Sequence, residues 1–348
     1  MSAFGLQSVE PALAESVLAG LDRVETALRE AARSEDPFIG EAASHLLNAG
    51  GKRFRPMLTL LAAHLGTGVT DEAVKAGVAV ELVHLASLYH DDVMDEAPRR
   101  RGAESANSRW TNTIAILTGD FLFARSSEVL ADLGPEAVRI QAQTFARLVE
   151  GQIRETVGPD DGADAVAHHL GVLADKTGVL IATACRYGAM FSGCSPEVVE
   201  ALRTYGEAIG IAFQIADDIL DIASPAEVSG KTPGTDLREG VMTLPMLLVR
   251  AAQLESDATL RGLLGRPLAD DAEHAEALAL LRENPAMEFA REQARAWATT
   301  AAEALAPVRA ALAADMVAAE QDSPAFERRQ AALSALLLLC DDVVDRVA

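Results

Sequence analysis

Aromatic residues make up only 4% of these 348 residues, and no apolar run reaches the 18 or so residues that a membrane-spanning helix needs. Cys185, Cys194 and Cys340 form neither a metal-ligand spacing nor an even framework. They read as small hydrophobes in a reducing compartment. Positive charge is scarce as well: 30 Lys and Arg stand against 52 Asp and Glu, a net charge of −22. That balance argues against non-specific nucleic-acid binding and against a polybasic membrane surface patch. No basic residue precedes Arg23, so a signal peptide is not expected. The expectation is a cytoplasmic protein without a membrane span. Period-2 alternation is nearly absent, which leaves little room for sheet.

What remains is Ala- and Leu-rich sequence at helical period, and 49% apolar composition is enough for a large core. Leu13, Val17, Leu21, Val24 and Leu28 mark a first helix over residues 11–33. Further helices are expected over 56–64, 71–95, 111–132, 135–157, 164–190, 196–222 and 241–254, with a polar helical hairpin over 255–285. Neither a repeat nor a low-complexity linker interrupts them. The fold class is therefore all-α, read as one antiparallel helical bundle over 1–348 around a central cavity, with residues 1–35 a helix of little further signal.

Two segments break the apolar pattern. His90 to Asp95 reads HDDVMD, and Ala216 to Asp221 reads ADDILD. Each places three carboxylates within five residues of a helix, where positions i, i+3 and i+4 share a face. Asp91, Asp92 and Asp95, and likewise Asp217, Asp218 and Asp221, would repel one another unless something positive held them. Oxygen-only ligand sets suit a hard cation such as Mg2+, which often bridges to substrate phosphates. Two such clusters facing each other across a bundle would share several ions. Neither has the loop of an EF-hand. A third match, Asp341, Asp342 and Asp345, serves as a control: it ends the chain with Arg346 as its only neighbouring cation and reads as a solvated terminal helix. His84 and Leu88 continue the stripe behind the first cluster, and Gln214 lies one turn before Asp218.

The cations cluster locally. GGKRFRP (Gly50 to Pro56) offers glycine backbone amides with Lys52, Arg53 and Arg55, a combination suited to diphosphate, although equally a basic surface turn. Arg99, Arg100 and Arg101 follow the first acidic cluster. Lys231 lies in the polar loop GKTPGTDLREG after the second, and Lys176-Thr177 form a weaker cation–hydroxyl pair.

In order, GGKRFRP, ELVHLASLYHDDVMDEAPRRRG, FQIADDILD and GKTPGTDLREG closely resemble the trans-prenyl diphosphate synthases, or polyprenyl synthetases, over roughly residues 40–348. The resemblance implies the isoprenoid synthase fold, usually as a homodimer. It implies a prenyltransferase that condenses isopentenyl diphosphate with an allylic prenyl diphosphate. Asp91, Asp92, Asp95, Asp217, Asp218 and Asp221 would hold Mg2+, about three ions per site. Lys52, Arg55, His84 and Arg101 would hold isopentenyl diphosphate, with Arg53 also near that site. Arg100, Lys176 and Lys231 would clamp the allylic diphosphate, while Thr177 and Gln214 face the developing cation. Gln152 and Glu155 of EGQIRE match a further motif near the metals. Where the family loop reads EGK-x-TLP, this chain has Val241 in place of the lysine, so Arg53 or another cation would have to substitute. Short-chain members often carry Phe or Tyr just before the first cluster, whereas Val83, Ala86 and Ser87 are small, implying a product longer than C20, in the C30 to C50 range. A terpene cyclase would need no GGKRFRP, a silent partner subunit would have lost its acidic motifs, and a helical scaffold would need neither cluster.

Overall fold

A computed structural model of the chain describes residues 9–224, 233–317 and 323–347. Its order is α1 (Pro11–Ala31), α2 (Pro37–Asn48), α3 (Phe54–Ala63), α4 (Asp71–Met94), a two-residue β-pair (Arg99–Arg100 and Ala103–Glu104), α5 (Ala106–Arg109), α6 (Asn112–Ala131), α7 (Pro135–Val157), α8 (Ala165–Leu173), a π-turn (Ala174–Gly178), α9 (Val179–Phe191) and α10 (Pro196–Ala223). There follow α11 (Thr235–Glu239), α12 (Leu244–Ala252), α13 (Ala258–Leu263), α14 (Asp271–Glu283), α15 (Ala286–Ala304), α16 (Ala306–Val317) and α17 (Pro324–Asp345). The all-α expectation is met. Among the described residues no helix is long and apolar enough to cross a membrane. All three cysteines are free thiols, Cys185 and Cys340 buried.

The chain divides into two compact units, residues 1–146, 180–206 and 304–338 in the first and 147–179, 207–303 and 339–348 in the second. In the first unit, α4 is the central element. Its sequence is apolar on nearly every side, so burial is available all round, and α1, α3 and α6 pack against it. Thr70 caps its start, its hydroxyl oxygen accepting from the Ala73 amide at 3.0 Å while its O–H donates to the Phe191 carbonyl at 3.0 Å, and Asp71 and Glu72 occupy the first turn, where negative charge is favourable. Leu13, Val17, Val24 and Leu28 of α1 are fully buried, as the periodicity predicts. A Cβ added at Gly188 would lie 2.0 Å from the Thr59 carbonyl oxygen, so only glycine lets α9 approach α3 this closely.

In the second unit, the expected single helix over 164–190 is instead interrupted. Ala174 to Gly178 form a π-turn, closed by the Val179 N–H donating to the Ala174 carbonyl five residues back. The expected hairpin over 255–285 is a short 3-10 turn (Glu255–Asp257) followed by α13 and α14.

Candidate active site

The first acidic cluster ends α4, and its carboxylates differ in burial. Asp92 is fully buried, while Asp95 is exposed and forms the C-cap. Arg99–Arg100 pairs antiparallel with Ala103–Glu104 across Arg101 and Gly102, both at positive φ (53° and 79°). Two left-handed residues in a two-residue turn make the twist that a tight hairpin needs. This hairpin returns Arg100 to the cluster: Nε donates to Asp92 Oδ1 at 2.6 Å, and Nη2 lies 3.8 Å from Asp95 Oδ2. Burial raises the Asp92 carboxyl above the usual range, against the pull of Arg100, and Asp92 Oδ2 remains buried without a hydrogen-bond partner. Leaving such an atom unsatisfied costs about 1–3 kcal/mol.

Two turns back along α4 lies a cationic patch. Burial pushes the Arg55 guanidinium down to about 10, opposed by Glu81, and its Nε has no partner. Burial and then Arg55, Arg101, Arg53 and Arg100 hold His84 well below the ordinary imidazole value, so His84 is neutral at neutral pH. Burial likewise lowers Arg101, whose Nη1 donates to the Gly50 carbonyl. Arg55, Arg101 and His84, predicted together from sequence, are therefore brought together. Lys52 is exposed at the mouth of the same turn.

Arg53 corrects an expectation. It is buried, starts α3 from a left-handed backbone (φ 50°), and commits its guanidinium to Glu25 at 2.8 Å, Glu81 at 3.2 Å and the Leu47 carbonyl at 3.3 Å. It braces the GGKR turn, its guanidinium committed to these partners. Glu25 is a contribution of α1 that the sequence did not signal, because its partner lies 28 residues on.

In the second unit, each carboxylate of the ADDILD cluster has its own partner. Asp217 Oδ1 accepts from Arg346 at 2.8 Å. Asp218 Oδ1 accepts from Gln214 Nε2 at 3.1 Å, and Oδ2 faces His169 Nε2 at 3.7 Å. Asp221 accepts from the amides of Thr235 and Asp236, both at 3.2 Å. Burial raises Asp218, with His169 and Gln214 pulling the other way, and Asp218 Oδ2 is buried without a partner. Thr177 Oγ1 lies 3.4 Å from Gln214 Oε1, so Thr177, Gln214 and Asp218 form one chain. Lys176 pairs with Glu155 at 2.5 Å, linking two motif residues, and Gln152 Oε1 is buried without a partner. His169 was not legible: the adjacent histidines of HHL carry no metal-ligand or motif spacing. Lys231 lies outside the described residues. Val241 is 44% exposed.

The third acidic match is solvated as expected at Asp341 and Asp345, yet its helix is docked, with Val343 and Val347 buried and Arg346 stacked 5.0 Å from the Phe213 ring while it bridges Asp217.

Among the described residues no three His, Cys, Asp or Glu side chains already enclose a cation site. Taken separately in each unit, the unpartnered oxygen of Asp92 and that of Asp218 each suit a hard divalent ion, which takes few protein ligands when water and phosphate oxygens complete its shell. Val83 and Ala86 are buried on α4, and the Ser87 hydroxyl donates to the His84 carbonyl at 2.8 Å.

The sequence profile of the family "Polyprenyl synthetase" matches residues 36–281. The chain belongs to the polyprenyl synthetase family. It is 50% identical over 316 residues to a nonaprenyl diphosphate synthase of Mycobacterium tuberculosis, covering 89% of this chain and 94% of that one. Among solved structures it is similar to a geranylgeranyl pyrophosphate synthase from Corynebacterium glutamicum complexed with calcium and isoprenyl diphosphate (TM-score 0.83, 40% identity, 97% and 98% of the two chains). It is also similar to a decaprenyl diphosphate synthase from Rhodobacter capsulatus (TM-score 0.80, 35% identity, 97% and 99%). Family and fold agree with the resemblance carried by the four motifs.

Proposed function

We propose that this polyprenyl synthetase is a Mg2+-dependent prenyltransferase that condenses isopentenyl diphosphate with an allylic diphosphate, lengthening a trans-polyprenyl diphosphate beyond C20. The observation that carries the reading is the arrangement along α4. His84 and Asp91 are seven residues apart on one stripe, a rise of about 10 Å. A buried cationic patch for one diphosphate thus lies two turns from a carboxylate cluster suited to a metal-bound second one.

Bound Mg2+ would be held by Asp91, Asp92, Asp95, Asp217, Asp218 and Asp221 and would supply charge stabilisation to the departing diphosphate. Lys52, Arg55 and Arg101 hold isopentenyl diphosphate, and neutral His84 offers it an N–H without adding a further charge to crowded guanidinium groups. Arg100 and Lys176 attract the allylic diphosphate, the role the resemblance also gives Lys231. The allylic C–O bond breaks, and its electron pair leaves with the diphosphate. The isopentenyl alkene then bonds to the allylic carbon. Thr177 Oγ1 and Gln214 Oε1 direct oxygen dipoles at the positive charge, and the proton lost afterwards passes to the departed diphosphate, so no dedicated base is required.

A product in the C30 to C50 range is supported by the small residues at Val83, Ala86 and Ser87 and by similarity to nonaprenyl and decaprenyl synthases. The similarity to a geranylgeranyl synthase favours a second reading, termination at C20. A cytoplasmic homodimer belongs to the same proposal, supported by the exposed Ile116 and Leu117 on α6. The test is incorporation of labelled isopentenyl diphosphate into farnesyl diphosphate. Incorporation that requires Mg2+ and stops on chelation supports the proposal; no incorporation from any allylic primer overturns it.

A further inference from the structure

Asp175 has no part in the chemistry above, yet it is buried and holds two cations. Arg147 Nε donates to Asp175 Oδ1 at 2.5 Å, and Arg154 Nη1 to Oδ2 at 2.6 Å. Both arginines lie on α7. Arg147 Nη2 also donates to Glu207 on α10, so one guanidinium clips three elements together. Two glycines permit the approach. A Cβ at Gly151 would lie 2.8 Å from Asp175 Cβ and 3.0 Å from the Lys176 amide nitrogen, and one at Gly178 would lie 3.1 Å from the Glu207 carbonyl oxygen.

Three of the five residues of the π-turn point in three directions. Asp175 meets α7 through Arg147 and Arg154, Lys176 meets Glu155, and Thr177 meets Gln214 on α10. A π-turn holds one residue more than the α-turn it replaces and is intrinsically less favourable. Relaxation to α geometry would rotate the residues on one side of it by about 100° relative to the other. Lys176 and Thr177 would then leave Glu155 and Gln214. The charge-assisted bonds to Asp175 oppose that relaxation at the residue next to Lys176.

We infer that Asp175 is a positioning residue: clamped by Arg147 and Arg154, it locks the π-turn that aims Lys176 at the allylic diphosphate and Thr177 at the developing cation. The inference rests on the proposed function for its catalytic consequence, though the lock itself is a matter of backbone geometry.

The test compares Asp175→Asn and Gly151→Ala with the wild type by steady-state kinetics for each substrate and by amide hydrogen exchange. Both variants are expected to raise KM for the allylic diphosphate or lower kcat by about tenfold or more, while KM for isopentenyl diphosphate stays within about twofold. Exchange over 170–182 should accelerate about tenfold, with α3 and α4 unchanged. A purely structural role would instead shift both substrates together and speed exchange throughout the unit, and that result overturns the inference. So does wild-type behaviour of Asp175→Asn in both measurements. If the wild type transfers no prenyl group, the proposed function fails; the exchange comparison over 170–182 still decides whether Asp175 locks the turn.

Discussion

The two acidic motifs share the pattern of two adjacent aspartates with a third three residues on, and have different surroundings. The first is matched by charge: the hairpin returns Arg100 onto Asp92 and Asp95, and Arg55, Arg101 and His84 crowd the same helix two turns back. The second is matched mostly by dipoles. Among the described residues, Gln214 holds Asp218, backbone amides hold Asp221, and the Arg346 guanidinium pairs with Asp217. In a protein of net charge −22, the global field repels a diphosphate, so attraction must be local. Among the described residues, guanidinium groups face the first cluster, whereas amide donors together with Arg346 face the second.

The largest effect that sharpens this comparison is loss of either cluster. Asp91→Ala and Asp217→Ala should each lower turnover by about a thousandfold with the far-ultraviolet circular dichroism unchanged. An effect confined to one of them would break the symmetry of function that the shared motif implies. Next in size is the cationic patch. Lys52→Ala should raise KM for isopentenyl diphosphate about tenfold and leave KM for the allylic partner within about twofold, measured by initial rates at saturating co-substrate. Equal rises would mean that the patch serves both diphosphates.

A smaller effect reads the same patch through stability. His84 lies well below its ordinary value, and burial and then Arg328 lower His64 to about 4. Below pH 6.5 the unfolded chain takes up protons that these folded imidazoles refuse. Their contribution is therefore full above the unfolded value and is lost as pH falls toward the folded one, at up to about 1.4 kcal/mol per pH unit for each group. Thermal midpoints between pH 7 and 5 should fall less steeply in His84→Gln than in the wild type, and a parallel fall would contradict a neutral His84. The smallest effect is expected at the third motif: Asp341→Ala should leave kcat and both KM values within about twofold, because Asp341 faces solvent on α17. A loss approaching that of Asp217→Ala would overturn the ranking of the three motifs.

Much of this was written locally in the sequence. The helical period of α1 and α4 placed Leu13, Val17, Val24 and the ends of the acidic segment correctly, because burial on a helix repeats every three to four residues. The pairing of Thr177 with Gln214, and of Arg55 with His84 and Arg101, followed from motifs and not from spacing. The π-turn at Ala174–Gly178 was illegible, since nothing in ADKTG forbids an ordinary helix; its cause lies with Arg147, Arg154 and two distant glycines. Arg53 was misread for a related reason. A cation in a glycine-rich turn looks available until Glu25 and Glu81, from two other helices, are brought against it.

The claim that most needs testing is an open path for a long product beside Val83, Ala86 and Ser87. Chromatography of the dephosphorylated products formed from farnesyl diphosphate, isopentenyl diphosphate and Mg2+ measures it directly. The account predicts a dominant product in the C30 to C50 range, shortened by several isoprene units in Ala86→Phe, since each helical turn of about 5.4 Å accommodates roughly one unit. A wild-type enzyme that stops at C15 or C20 would contradict it.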